Sequence, residues 1–230
     1  MSDSIRIVLV GASGLVGGEV LAEAVGRANI RMLALGRREA RLPTGATMEQ
    51  VVADPAEWGK VMQQFRPDVL ISALGTTIGK QGGDKDKFRA VDFNLVVDTA
   101  RAAHEAGVER CVAVSSANAD ASSRFFYMQV KGEAEQALMK VGFKRLDILR
   151  PGLLRGKRVD DPRTLERLAM VASPFTDLLM QGKYRSGRSI PARTVAQAAL
   201  ALAQRKAAGK FRHEHDAIRR AAKELPQLAE

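Results

Sequence analysis

This 230-residue sequence predicts an α/β fold: a doubly wound parallel sheet with helices on both faces and a small C-terminal lid region. Three observations carry that prediction. Apolar, β-branched runs, of which "IRIVLV" (5–10) is the first, alternate with stretches whose apolar residues recur at helical spacing. Those runs are apolar along nearly their whole length, as strands of a parallel sheet covered on both faces must be. A glycine-rich turn, "GASGLVGG", joins the first strand to the first helix. A turn of that kind at that place marks a Rossmann-type sheet.

The elements follow in order. Leu15 to Val25 reads as a helix, Arg31 to Gly36 as the second strand, and the latter part of Ala46 to Asp54 as the third. Pro55 suits a first helical turn and opens a helix running to Phe65. "PDVLISALG" (67–75) is a strand bounded by proline and glycine, and a long helix spans about Asp86 to Gly107, where glycine suits a left-handed cap. "ERCVAVSS" is the fifth strand, "FFYMQVKGEAEQALMK" a helix and "RLDILRPG" the sixth strand. The α/β periodicity then loosens over 152–190, the predicted substrate lid, and resumes in a helix over 190–205 within a C-terminal stretch, 191–230, expected to pack on the core. One domain with its core in 1–151 accounts for the whole pattern.

Composition narrows the class. The chain is 46% hydrophobic and 27% charged, with no apolar run near the eighteen or so residues that a membrane span requires. Its first residues lack the parts of a signal peptide, so the expected location is cytoplasmic. The single cysteine, Cys111, lies on a predicted buried strand and should be an inert packing group. Net charge is +10, and nine of the ten excess positive charges fall between Arg150 and Glu230. That distribution fits a solvated basic surface or a basic wall facing an acidic substrate or partner. No basic groove with interleaved aromatic residues and no zinc-finger or RNP pattern is present, which argues against nucleic acid. Oligomeric state, monomer or dimer, is left open by the sequence.

Gly11, Gly14 and Gly17 are spaced G-x-x-G-x-x-G where strand gives way to helix. Glycine allows the tight turn and the close approach of a pyrophosphate, and the helix start offers unpaired N–H groups to its charge. The predicted dinucleotide contacts are Gly11, Ser13, Gly14, Leu15, Val16 and Gly17, with Ala73 and Gly75 at the end of the 67–75 strand. After the second strand, Arg37 and Arg38 stand where an NAD site places an acid, so NADP is preferred and NAD is second. Asp54 suits either an adenine contact or a helix N-cap before Pro55.

Tyr127 and Lys131 lie four apart on one helix and share a face. A neighbouring ammonium favours the phenolate, which makes tyrosine usable in general acid–base chemistry. Ser116, just upstream at a strand end, is placed to hydrogen-bond a carbonyl.

These motifs, "GASGLVGGEVL", "GRR", "VSSANADASSRFFYMQVKGEAE" and "ILRPGLLRGKR", resemble the short-chain dehydrogenase/reductase superfamily. The resemblance covers most of the chain and is nearest the atypical, Tat-interacting-protein-like NAD(P)-binding oxidoreductases. It implies a catalytic trio of Ser116, Tyr127 and Lys131, with Lys131 also holding the nicotinamide ribose and Pro151 passing beside the nicotinamide. Asn94 would match a helix asparagine used in proton relay. The implied activity is NADP-dependent oxidation or reduction of an alcohol or carbonyl substrate. Cations in and around the predicted lid, Arg155, Lys157, Arg158, Arg185 and Arg188, suggest a small anionic one. The atypical branch also contains NADP-binding regulators and redox sensors, so a non-enzymatic protein that binds an acidic partner is the alternative. Two groups of residues have plainer expected roles: His213 and His215 lack the further ligands of a metal site, and Trp58, Phe125 and Phe126 read as packing groups, with the substrate pocket beside Tyr127 as the alternative for Phe126.

Overall fold

The computed structural model describes residues 4–156 and 187–228. Seven parallel strands form one sheet in the order β3-β2-β1-β4-β5-β6-β9. These are β1 (Ile5–Val10), β2 (Ile30–Gly36), β3 (Glu49–Val52), β4 (Val69–Ser72), β5 (Arg110–Val114), β6 (Arg145–Leu149) and β9 (Gly209–His213). A separate parallel pair, β7 (Leu154–Arg155) with β8 (Ile190–Pro191), flanks the undescribed segment. Residues 157–186 hold most of the predicted lid, including Lys157, Arg158 and Arg185, and lie outside the described residues.

Alternation along the strands feeds two cores. Ile7, Leu9, Met32 and Ile71 point to one face with α1 (Leu15–Ala24), α6 (Ala192–Ala203) and α7 (His215–Ala222). Val8, Val10, Leu33, Leu70 and Ile148 point to the other, under α2 (Trp58–Phe65), α4 (Val96–Glu105) and α5 (Phe126–Val141). Burial on both faces is why these strands read as unbroken apolar runs. α6 buries nine of its residues, six of them alanine, and the small side chains let it lie close against α1. Trp58 is buried as expected and donates its indole N–H to the Ala53 carbonyl.

The structure corrects three sequence expectations. The long helix over 86–107 is not continuous: α3 (Lys85–Arg89) passes through a π-helical turn, Ala90–Leu95, before α4 begins. Its predicted glycine stop holds, since Gly107 is left-handed at φ +89° and Val108 N–H closes on the Ala103 carbonyl. The tail supplies a seventh strand, β9, beside β6. "GKFRH" has no apolar alternation, being an edge strand with Lys210, Phe211 and Arg212 exposed, and so gave no strand signal. Phe126 packs against Phe88, but Phe125 is 77% exposed and is no packing group.

Candidate functional site

Strand order reverses between β1 and β4, and ligands of open α/β sheets bind in the crevice at that point. Gly11 leaves β1 there at φ +83°, and a Cβ on it would lie 2.5 Å from the Ala73 carbonyl carbon and oxygen. Gly17, inside α1, is equally constrained, because its Cβ would fall 2.2 Å from the Gly11 carbonyl oxygen. The turn closes with Gly14 N–H donating to the Gly11 carbonyl at 2.9 Å. No side chain caps α1 and no acid stands in its first turn. Ser13 and Gly14 are exposed, Leu15 is half-buried and Val16 buried, so the helix start is open to an incoming anion. The backbone at this turn therefore fits a dinucleotide pyrophosphate.

Arg37 and Arg38 follow β2, both exposed and without an ion pair among the described residues. Asp54 caps the 3₁₀ turn Pro55–Glu57, its Oδ1 accepting from Ala56 N–H at 2.9 Å. Of its two sequence roles the cap is thus the one the geometry displays.

The catalytic candidates gather on one face of α5. Tyr127 is half-buried with its ring 5.5 Å from that of Phe88. One turn on, Lys131 Nζ lies 2.7 Å from Asp92 Oδ1, with these side chains 8% and 0% exposed. Asp92 sits on the π turn, and its Oδ2 accepts from Thr76 N–H at 2.8 Å. Its Oδ1 takes no well-aligned hydrogen bond and is held by charge. Gly75 leaves room for this pair: a Cβ there would stand 3.4 Å from Asp92 Oδ1 and 3.5 Å from Lys131 Nζ. Burial pulls the Lys131 ammonium down, but Asp92 and Tyr127 raise it by more, so the net displacement is upward. Asn94, the residue matched by resemblance to a relay asparagine, is exposed on the same π turn. Asp92, two residues earlier, is the group that meets the lysine.

A further turn along α5, Glu135 is buried and gathers Ser115 Oγ at 2.6 Å, Arg150 through Nε at 2.9 Å, and Arg212 at 3.2 Å. Arg150 also donates to the Ala119 carbonyl, fixing the loop after β5. This cluster distinguishes the two serines. Ser115 is committed to Glu135, whereas the Ser116 hydroxyl has only the neighbouring Ala117 carbonyl at 3.3 Å. Gly132 lets that loop cross α5, since a Cβ would strike Ala121 N at 2.1 Å. Pro151 is buried and its carbonyl accepts from Ala117 N–H, which ties the end of β6 to the serine loop. On β7, Arg155 has a buried Nε without a hydrogen-bond partner among the described residues.

The remaining candidates have structural roles. His213 meets Asp147 at 2.7 Å, and Arg145 grips that carboxylate with two nitrogens. His215 lies 3.0 Å from Asp216 and begins α7, so the two histidines do not share a strand. No cluster of potential metal ligands occurs among the described residues. Burial pushes the Cys111 thiol up, as expected for an inert packing group. No helix among the described residues is long and apolar enough to cross a membrane.

With this geometry in place, known proteins supply a context. Residues 11–206 match a family model described as NAD(P)H-binding. Protein FMP52, mitochondrial, of Candida albicans is 33% identical over 213 residues, 89% of this chain and 90% of that protein. The Saccharomyces cerevisiae protein of the same name is 38% identical over 160 residues, 68% and 69% of the two chains. Among solved structures, the Bordetella bronchiseptica enzyme WbmH in complex with NAD⁺ has a TM-score of 0.70 at 14% identity, over 92% of this chain and 75% of that one. UDP-glucose 4-epimerase of Thermotoga maritima has a TM-score of 0.68 at 12% identity, over 91% and 77%. At those identities the structures share a fold, which is the Rossmann-type fold the sequence predicts. The relatives' names overturn the cytoplasmic expectation, because these proteins are mitochondrial by name. Signal-peptide features do not choose between cytosol and mitochondrion.

Proposed function

This chain belongs to the NAD(P)H-binding family, and from that premise we propose that it is an NADP-dependent oxidoreductase acting on a small carbonyl compound or alcohol. The observation that carries the reading is the α5 face: Tyr127 half-buried, and Lys131 one turn away, held by the buried Asp92. Bound NADPH supplies a hydride from nicotinamide C4. Gly11, Gly14 and the open start of α1 would hold the pyrophosphate, while Arg37 and Arg38 would pair with the 2′-phosphate that distinguishes NADP from NAD. Ser116 orients the substrate oxygen with a hydroxyl whose one contact is the long 3.3 Å bond to the neighbouring Ala117 carbonyl. Tyr127 donates the phenol proton to that oxygen as the carbonyl carbon is reduced, and Lys131 keeps the local charge in balance. Arg155 offers its unpartnered Nε to an anionic substituent on the substrate.

The test is NADPH oxidation across aldehydes, ketones and quinones by the wild type and Tyr127→Phe. The phenol's removal should lower turnover by about 10²-fold or more while NADPH binding persists. Full activity in Tyr127→Phe would sink the assignment. No turnover by the wild type, with NADPH-dependent capture of an acidic partner, would favour a regulator instead.

A further inference from the structure

We infer that Glu135 is a positioning residue, which acts through Arg150 to fix the turn carrying Ser116 onto the helix carrying Tyr127 and Lys131. This deepens the function proposed above and rests on it for the roles of those three residues. Glu135 has no part in the bond changes themselves. Its effect is on the loop between β5 and α5.

Backbone bonding holds that loop to β6 only at its start. The β5–β6 ladder continues past both strands, with Ser115 N–H donating to the Leu149 carbonyl at 2.7 Å and Ala117 N–H to the Pro151 carbonyl at 2.8 Å. The chain then turns: Ala119 N–H reaches the Ser116 carbonyl at 3.3 Å, and Asn118, the third residue of that turn, is left-handed at φ +60°. Asparagine tolerates this conformation better than most residues, yet a left-handed residue other than glycine persists only where its surroundings hold it. Arg150 supplies that hold. Its Nη2 donates to the Ala119 carbonyl at 3.0 Å, on the far side of the turn, while Nε lies 2.9 Å from Glu135 Oε1 and Nη2 2.5 Å from Oε2. One guanidinium therefore spans loop and helix, which its planar fork of donors allows.

Glu135 is well anchored for this task. Its side chain is 2% exposed, one turn along α5 from Lys131, and its Oε1 accepts from Ser115 Oγ at 2.6 Å. That bond occupies Ser115 and leaves Ser116 as the serine of the pair open to a substrate oxygen. The loop is seated on α5 beside the carboxylate, where Asp120 N–H donates to the Met128 carbonyl at 3.1 Å and Gly132 gives the backbone of Asp120 and Ala121 room to pass. Arg212 of β9 also meets Glu135, at 3.2 Å, but its other bond goes to Met139 Sδ on α5. Of the two arginines on this carboxylate, only Arg150 bonds to the turn.

That difference supplies the test. Amide hydrogen exchange reads the clamp without a substrate, and NADPH oxidation across aldehydes, ketones and quinones reads its consequence. Arg150→Lys keeps a cation beside Glu135 and removes the fork that also reaches Ala119. Exchange at the Ala119 and Asp120 amides should quicken by about tenfold or more, with the β5 amides unchanged. Turnover should fall by about 10–100-fold while NADPH affinity stays within about twofold, because the loop is misplaced and the cofactor turn is untouched. Glu135→Gln removes the charge that holds Arg150 and should act in the same direction, so either variant decides if the other does not fold. Arg212→Ala takes a partner from the same carboxylate and should leave both readings near wild type. Unchanged exchange at the turn in the folded variants, or an equal change in Arg212→Ala, overturns the inference, since Glu135 would then be only a buried charge pairing. The function fails separately: quickened exchange with full turnover would sustain the clamp and remove Ser116 from the chemistry, and a wild type without turnover would leave the exchange test standing.

Discussion

At the end of β1 the proposed cofactor turn is built of backbone: three glycines, an uncapped helix start and no ionised side chain within the turn. Around α5 the opposite holds. There Asp92, Lys131 and Glu135 are all buried, and each is matched by a partner from another part of the chain. Both regions lie along the same edge of one sheet, so the difference is one of chemistry. A pyrophosphate brings its own charge and needs only donors and space. Proton transfer needs a controlled charge away from water, and burying ions is costly unless every one is paired. The first region should tolerate changes of side chain but not the arrival of a Cβ; the second should tolerate changes of shape better than changes of charge.

The largest expected effect tests the first half of that contrast with two adjacent residues. Gly17→Ala puts a Cβ 2.2 Å from the Gly11 carbonyl oxygen, backbone against backbone, where neither can yield without moving α1 off β1. A stability loss of about 1–3 kcal/mol is expected from overpacking of this kind, with NADPH affinity falling by about tenfold or more because the donors move with the helix. Gly18→Ala, one residue on, meets nothing nearer than 3.8 Å and should stabilise α1 by roughly 0.5–1 kcal/mol. Thermal unfolding and NADPH titration of both variants check the pair. Equal behaviour of the two glycines would mean that the turn does not depend on close approach.

A smaller effect is expected where the backbone site borrows side chains. Arg37 and Arg38 are exposed after β2, so Arg37→Ala/Arg38→Ala should leave stability within about 0.5 kcal/mol. Loss of charge-assisted hydrogen bonds worth about 1.5–3 kcal/mol should weaken NADPH by roughly 10–100-fold and leave NADH nearly unchanged. Persistence of the NADP preference in parallel titrations would show that the arginines are only a solvated surface.

The same contrast explains what could be read in the sequence. Gly11, Gly14 and Gly17 form a local pattern, and the strand order around them follows from apolar runs, so the fold and the tight glycine turn were legible. Tyr127 and Lys131 were legible because four residues on a helix place them on one face. Asp92 was not, since its partner lies 39 positions away and the π turn that aims it leaves no mark in periodicity; Asn94 was the residue that resemblance singled out. The available signal was a carboxylate inside an otherwise apolar helix face, "AVDFNLVV". Glu135 was hidden in the same way, its five polar contacts coming from Ser115, Arg150 and Arg212. β9 escaped for a different reason, because an edge strand with a charged exposed face has no apolar run to display.

The smallest effect concerns the strand end that lies between the two regions. Ser72 is 2% exposed at the last position of β4, in register with Val10 and Ala113, and its hydroxyl has no hydrogen-bond partner. If it belongs to neither the backbone site nor the charged one, it is simply a buried polar atom that lacks compensation. Ser72→Ala keeps the shape and removes the unsatisfied group, so stability should be unchanged or rise by about 1 kcal/mol, with NADPH affinity unaltered. Denaturant unfolding with NADPH titration measures both quantities. A loss of affinity without a loss of stability would extend the cofactor site inward from Ala73 and Gly75 to a side chain, and the separation between a backbone region and a charged region would no longer be clean.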